Sequence, residues 1–124
     1  MAIFAFSPRE EILAPPAGPA PGERPVDLVH LSRQSLGDRA LEQEILSLFR
    51  CQTRLYLERL ENAATLSERR MAAHTILGSA RGIGAHKVAA AAEYVEQAGC
   101  TQIDLTALEE AVGEANAYID MLLD

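Results

Sequence analysis

The sequence predicts an all-α fold: an antiparallel up-down four-helix bundle with a short additional helix at its N-terminal end. Three observations predict it. No proline follows Pro25. From there on, apolar residues recur in steps of three and four positions, as on one face of a helix, and no alternating or β-branched run indicates a strand. Because the connections are short, consecutive helices are expected to be antiparallel neighbours.

The beginning of the chain differs in composition from the rest. Five of the six prolines lie between residues 14 and 25. Proline fixes φ and lacks a backbone N–H, so this stretch favours an extended or disordered tether. We therefore expect residues 1–25 to form a flexible Pro/Ala/Gly-rich segment. Residues 26–124 are expected to form one helical domain, a size that suits a single core.

The first two predicted helices have recognisable ends. Asp27 is placed to cap a short helix that runs to about Gln34, and Gly37-Asp38 ends that helix and caps the next. A long amphipathic helix is predicted over residues 39–62. Its apolar positions are Leu41, Ile45, Leu48, Phe49, Leu55, Tyr56 and Leu60.

A capping box opens the third predicted helix. Thr65 is followed three positions later by Glu68, a spacing at which each side chain can bond the other residue's backbone N–H. Gly84 marks the end of this helix. The buried stripe predicted for it consists of Ala72, Ala73, Ile76, Ala80 and Ile83.

Two further helices complete the predicted bundle. Residues 85–98 are expected to be helical, with Gly99 at a C-cap position. Asp104 or Thr106 is expected to cap the last helix, and Thr106-Ala107-Leu108-Glu109 matches a second capping box. The apolar face of this helix consists of Leu105, Leu108, Val112, Ala115, Ile119 and Leu122.

Charge and hydropathy argue against several classes of protein. The formal net charge is −7 and no block of Lys and Arg occurs, which argues against binding to nucleic acid or to anionic membranes. No apolar run approaches the roughly 20 residues of a membrane span, and the start of the chain lacks the basic region of a signal peptide. We expect a cytoplasmic monomer.

The two cysteines, Cys51 and Cys100, are far apart in sequence. Neither has a Cys or His neighbour at metal-ligand spacing, so no metal site is expected. Both adjoin apolar patterns, which predicts buried free thiols.

His74 lies in the part of the sequence with the strongest functional signal. On a helical wheel it shares one face with Gly78 and Arg81, away from the buried stripe, and Arg70 lies one turn earlier. Glycine in a helix interior costs about 1 kcal/mol relative to alanine. Gly78 therefore indicates that something large approaches the imidazole closely. An exposed histidine is most often an ordinary surface residue, but the glycine and the two arginines favour a functional one.

The chemistry open to an exposed imidazole is limited. The sequence contains no Gly-x-Ser-x-Gly elbow, no Ser-His-Asp arrangement and no His-x-x-x-His pair. A nucleophile that carries a group is left, since a neutral imidazole has a free nitrogen lone pair. Arg70 and Arg81 are placed to offset the charge of a phosphoryl group on His74.

The same residues resemble the signature of the histidine phosphotransfer (HPt) domains of bacterial phosphorelays. That signature is His-x-hydrophobic-Lys-Gly-Ser/Ala-Ala, followed by hydrophobic-Gly-Ala. This chain has His74-Thr75-Ile76-Leu77-Gly78-Ser79-Ala80 and then Ile83-Gly84-Ala85. The resemblance extends to the order of the helices and covers roughly residues 26–124.

The resemblance implies a phosphocarrier without an ATP site of its own, rather than an enzyme in the usual sense. His74 is the implied phosphoacceptor, through Nε2. It would relay a phosphoryl group between receiver-domain aspartates of a hybrid histidine kinase and a response regulator. The receiver domain would supply Mg²⁺, so no cofactor is expected in this chain. The implied neighbours of the phosphoryl group are Arg70, Arg81 and Ser79, and the implied docking residues are Ser67, Met71, Leu77 and Gly78.

Leu77 departs from the family pattern, which has lysine three residues after the histidine. The change removes a positive charge beside the phosphoryl group, and Arg81 is expected to replace part of its effect. Leu77 itself is expected to add apolar area to the docking face. Transfer should be retained but altered in rate or equilibrium.

Two other functions remain open from the sequence. The bundle could bind a receiver or another partner without accepting phosphate, because Leu77 weakens the chemistry. It could also be a dimerising helical domain that is fused to, or derived from, a sensor kinase.

Overall fold

Five helices make up the regular structure of this computed structural model, which describes residues 24–99 and 103–124. They are α1 (Leu28–Ser35), α2 (Arg39–Glu61), α3 (Leu66–Ile83), α4 (His86–Gln97) and α5 (Thr106–Leu123). The described residues contain no strand, which confirms the all-α prediction. Of the predicted N-terminal segment 1–25, all but residues 24 and 25 lie outside the described residues.

The four long helices enclose one apolar core. Each packs on the next along the chain, α5 packs back on α2, and α1 lies against α2 and α3. The core is mainly aliphatic, with Phe49 as a buried aromatic. Its largest fully buried apolar side chains are Val26, Leu31, Ile76, Val88, Val95, Leu108 and Ile119. The exact up-down order of the helices stays a prediction.

Gly84 forms the corner between α3 and α4. Its φ is +73°, a left-handed conformation that favours glycine, and its backbone oxygen accepts a hydrogen bond from Asp27 N at 3.1 Å. A Cβ at this position would lie 2.7 Å from the Cβ of Asp27. The start of α1 is therefore seated directly on the corner, as only glycine permits.

Asp27 links this corner to two helices. Its Oδ1 accepts from the backbone N–H groups of Val29 and His30, both at 3.1 Å, as the predicted cap of α1 requires. Its Oδ2 lies 3.5 Å from His86 Nε2, at the start of α4. The hydrogen bond from His30 N–H, together with the contact with His86, holds the pKa of Asp27 below its ordinary value.

The other caps divide into correct and incorrect predictions. Asp38 caps α2 and the Thr65–Glu68 capping box opens α3, both as predicted. The prediction for α5 is wrong: its N-cap position is Leu105, without a side-chain cap, and Thr106 is already helical. The N–H of Thr106 donates to Asp104 Oδ1 at 2.9 Å, outside the helix. Hydrogen bonds from the hydroxyl and the backbone N–H of Thr106 lower the pKa of Asp104. The C-cap of α4 is Ala98 in an extended conformation, so the prediction for Gly99 is also wrong.

One buried polar link crosses the core between α2 and α5. Thr53 Oγ1 donates to Phe49 O at 2.8 Å and accepts from Asn116 Nδ2 at 3.2 Å. Nearer the surface, Arg50 and Asp120 form an ion pair between the same two helices. These polar contacts set the rotation of α5 against α2 in a core that is otherwise apolar.

Cys51 is exposed on α2 and is a free thiol, so the prediction that it is buried is wrong. It lies on the side of the helix opposite the core-facing residues, and the apolar pattern around it belongs to neighbouring positions. Cys100 lies outside the described residues.

We predict that Gly84→Ala lowers the free energy of unfolding by at least about 1–2 kcal/mol, because a non-glycine residue in the left-handed region is strained and its Cβ would collide with Asp27. The matched control is Gly82→Ala. Nothing lies within 4 Å of a Cβ there, so alanine should stabilise the helix by about 1 kcal/mol. Urea denaturation of both variants measures the difference. Equal effects would contradict the role given to the corner.

Candidate functional site

His74 lies on the exposed face of α3 and is held by one residue of α4. Its side chain is 72% exposed, and its Nδ1 lies 2.9 Å from Glu96 Oε2. The neighbouring Ala73 and Ile76 are buried in the core, so the helix backbone beneath the imidazole is fixed by packing. The position of His74 agrees with the wheel prediction.

Glu96 determines what the imidazole can do. An ionised carboxylate only accepts hydrogen bonds, so the proton of a neutral His74 belongs on Nδ1. The other nitrogen, Nε2, then carries the free lone pair. A histidine that is held through Nδ1 and mostly exposed presents Nε2 to a partner as a nucleophile.

The sequence reasoning missed Glu96, because it considered only residues on the helix that carries His74. A signal was present. Glu93 and Glu96 are three positions apart and so lie on one face of the helix predicted at residues 85–98. Glu96 is also 12 residues after Gly84, and His74 is 10 before it. Across a tight corner those separations bring the two residues to similar heights.

Arg81 forms a second contact between α3 and α4. Its Nη2 lies 3.7 Å from Glu93 Oε2, and the two side chains are 62% and 47% exposed. An exposed pair at this distance is weak and readily exchanged for another partner. Arg70, on the preceding turns of α3, is also exposed. Both arginines are therefore on the surface where the sequence predicts them.

Gly78 leaves a bare patch one turn after His74. The residue is exposed, and apart from the adjoining backbone of α3 itself, no atom lies within 4 Å of where its Cβ would be. Nothing in the described part of the chain therefore requires glycine at this position. The same holds for Gly82 and Gly113, so open space alone does not mark a site. What distinguishes Gly78 is its place beside the imidazole.

Met71 borders a hollow on the other side of His74. Its side chain is 69% exposed, and it helps to line a hollow of about 370 Å³ between α2 and α3. The floor includes Tyr56, and the guanidinium of Arg59 lies 4.8 Å from the centre of the Tyr56 ring. Ser67, at the start of α3, is exposed. The hollow thus combines apolar side chains with the cationic Arg59 and the acidic Glu68.

Leu77 is not on that face. Leu77 is only 4% exposed and belongs to the hydrophobic core. The prediction that Leu77 adds apolar area to the docking face is therefore wrong. The side chain packs inward, because removing its apolar surface from water stabilises the fold.

Ser79 also has a different environment from the predicted one. Its Oγ donates to Gln52 Oε1 of α2 at 3.1 Å. Five helical positions separate it from His74, about 140° around the helix axis. The hydroxyl is therefore engaged in the contact between α2 and α3, on another side of the helix from the imidazole. Its assignment beside a phosphoryl group is not favoured by this geometry.

Neither a metal cluster nor a membrane helix occurs in the residues that the structure describes. Across 24–99 and 103–124, no three His, Cys, Asp or Glu side chains lie together so that they could hold a metal ion. No helix in these ranges has the length and apolarity needed to cross a bilayer.

Away from His74, Glu61 at the end of α2 and Glu109 in α5 approach each other, and the hydrogen bond between their side chains raises the pKa of Glu61.

Comparison with known proteins gives two matches. The family model described as the Hpt domain matches residues 44–124, a range that includes the whole of the His74 site. Among solved structures, the chain is similar to the histidine phosphotransferase ShpA from Caulobacter crescentus. The two share 31% sequence identity and a TM-score of 0.66, over 79% of this chain and 89% of that one. The comparison with curated proteins finds no match.

We predict that Glu96→Ala shifts the tautomer of His74. Loss of the acceptor should move the neutral imidazole from the Nδ1–H form toward the Nε2–H form, by up to about tenfold in their ratio, which corresponds to 1.4 kcal/mol. The ¹⁵N chemical shifts of the imidazole measure this ratio. Glu96→Gln is the matched control, since its amide oxygen still accepts from Nδ1–H. An unchanged ratio in Glu96→Ala would contradict a positioning role for Glu96.

Proposed function

Because the chain belongs to the Hpt family, we propose that it carries a phosphoryl group on His74 Nε2 between the receiver domains of a hybrid histidine kinase and a response regulator. The observation that carries this proposal is the exposed imidazole of His74, held through Nδ1 by Glu96 at 2.9 Å. This arrangement leaves the Nε2 lone pair directed at solvent, where an aspartyl phosphate of another protein can reach it.

The transfer is a substitution at phosphorus. Nε2 of His74 attacks the phosphorus atom of the receiver's aspartyl phosphate; a P–N bond forms, the acyl P–O bond breaks, and the aspartate leaves as a carboxylate. The imidazole gains positive charge as the P–N bond forms. Glu96 accepts the Nδ1–H bond throughout and stabilises that charge. We propose that the receiver supplies the Mg²⁺ which offsets charge on the phosphoryl oxygens.

Arg81 is the proposed replacement for the missing lysine of the family pattern. Side chains on a helix lean toward its N-terminus, so Arg81 leans along the surface toward His74. The bare Gly78 leaves the path between them open. The weak pairing of Arg81 with Glu93, at 3.7 Å, can be exchanged for a phosphoryl group with a charge of about −1.5 to −2. Arg70 is proposed to act from the other side.

The proposed docking face for the receiver consists of Ser67, Met71 and Gly78 on α3. All three are exposed, and Met71 opens onto the hollow beside Tyr56. The apolar surface at Met71 and the clearance at Gly78 supply the close approach that in-line transfer requires.

The proposal includes the up-down order of the bundle. Ser79 of α3 bonds to Gln52 of α2, while Met71, earlier in α3, lies near Arg59, later in α2. This pairing of earlier with later residues supports antiparallel packing of α2 against α3.

His74→Ala should abolish phosphorylation. Incubation with each ³²P-labelled receiver domain of the source organism should label the wild type at an acid-labile, base-stable site and leave His74→Ala unlabelled. His86→Ala is the matched control, because His86 is also exposed but lies at the start of α4. Equal labelling of His74→Ala and the wild type would sink the proposal. Binding of a receiver without any labelling of the wild type would indicate a docking module instead.

Gly78→Arg should leave the fold intact but slow transfer from the receiver by at least about tenfold, or 1.4 kcal/mol in the encounter complex. Nothing in the protein opposes the new side chain, whereas a docked receiver does. Circular dichroism checks the fold and the labelling assay checks the rate. Gly113→Arg is the control, since Gly113 is equally unobstructed but lies on α5. Similar rates for the two variants would contradict the assignment of Gly78 to the docking face.

A further inference from the structure

An apolar stripe runs along the outer surface of α2 and takes no part in the core. Its members are Leu41, Leu48 and Leu55, which are 40%, 57% and 43% exposed. They are seven residues apart, so they lie on nearly the same line of the helix over about 21 Å. The exposed Cys51 lies between the last two. A solvent-exposed leucine every second turn is the pattern of a helix that packs against another helix.

We propose that this stripe binds the same stripe of a second copy of the chain, with the two α2 helices antiparallel. Charge complementarity supports a second copy of the chain as the partner that binds the stripe. Glu44 and Arg54 are both exposed on the same side of the stripe, four residues before Leu48 and six residues after it. When two such helices cross antiparallel near Leu48, each Glu44 lies opposite the other copy's Arg54, within about two residues or 3 Å along the axis. An arginine side chain easily spans that offset.

The parallel arrangement is disfavoured by the same residues. In a parallel pair, Glu44 of each copy lies about 15 Å along the axis from Arg54 of the other copy, so these two charges cannot pair. The antiparallel pair also opposes the two helix dipoles. Its two-fold axis makes the contact self-complementary, with Leu48 near the axis and Leu41 of each copy opposite Leu55 of the other.

The contact between the two stripes is small. One face of a single helix is smaller than the roughly 800 Å² per partner that a standard interface buries. The dimer is therefore reversible, and its population rises with concentration. It replaces the expectation of a monomer, and it does not depend on phosphoryl transfer at His74.

The first test is sedimentation velocity of the full chain over a range of concentrations. The wild type should move from monomer to dimer mass as concentration rises. Leu48→Glu, which places two carboxylates near the axis, should raise the dissociation constant by at least about tenfold. Met121→Glu is the control, because Met121 is 63% exposed but lies on α5. Circular dichroism checks that both variants are folded.

A charge swap tests the orientation. Glu44→Arg and Arg54→Glu should each weaken the dimer, and the double variant should restore it, since each helix then again meets its opposite charge. In a Cys100→Ser background, a short bismaleimide should cross-link Cys51 to Cys51, and Leu48→Glu should remove the cross-link.

Two results would overturn the dimer. One is a wild type that stays monomeric at every concentration. The other is a double charge variant no stronger than the single ones. If the wild type is monomeric and Leu48→Glu slows labelling by a receiver, the stripe belongs to receiver binding instead. Normal labelling of Leu48→Glu together with loss of the dimer supports the proposal and leaves the function of His74 intact.

Discussion

The contact between Gly84 and Asp27 is the constraint on which the site depends. Gly84 turns the chain from α3 into α4 within two residues, and Asp27 seals the turn by bonding to the Gly84 carbonyl at 3.1 Å. Because the connection is short, it fixes which residues of α3 and α4 lie at the same height. His74, 10 residues before it, and Glu96, 12 after it, lie about 15 and 18 Å along their helices. The match in height makes the 2.9 Å contact possible, and a longer loop would leave it unspecified.

Small side chains complete this arrangement. Ala73, Ala80, Ala85 and Ala92 are buried completely where α3 and α4 meet. Alanine lets two helix axes approach closely, so a glutamate on one helix reaches a histidine on the other without either leaving the surface. The site is thus made by packing beneath it and by one charged contact above it. Leu77 adds to the packing rather than to the surface.

The sequence predicts what depends on local chemistry. The helix of His74, its capping box, the end at Gly84 and the clearance at Gly78 all follow from spacing along one helix. Glu96 could not be assigned in the same way, because its role depends on register across the corner. Leu77 and Ser79 were misplaced for a related reason: their roles were carried over from a family pattern, whereas burial and a bond to Gln52 decide where their side chains lie. Likewise, Asp104 or Thr106 was expected at the cap of the last helix, whereas Leu105 occupies that position.

The buried bond between Thr53 and Asn116 has a consequence for how uniquely this fold is specified. A core of alanine, leucine, isoleucine and valine is tolerant, since similar shapes pack almost equally well after a small rotation or slide of one helix. A hydrogen bond tolerates neither, and Asn116 is 7% exposed, so a partner lost on rotation is not replaced by solvent. The hydrogen bond between Thr53 and Asn116 therefore fixes the orientation of α5 relative to α2. We expect that replacing both residues by aliphatic ones of similar volume leaves the stability of the bundle nearly unchanged but lets α5 occupy several orientations.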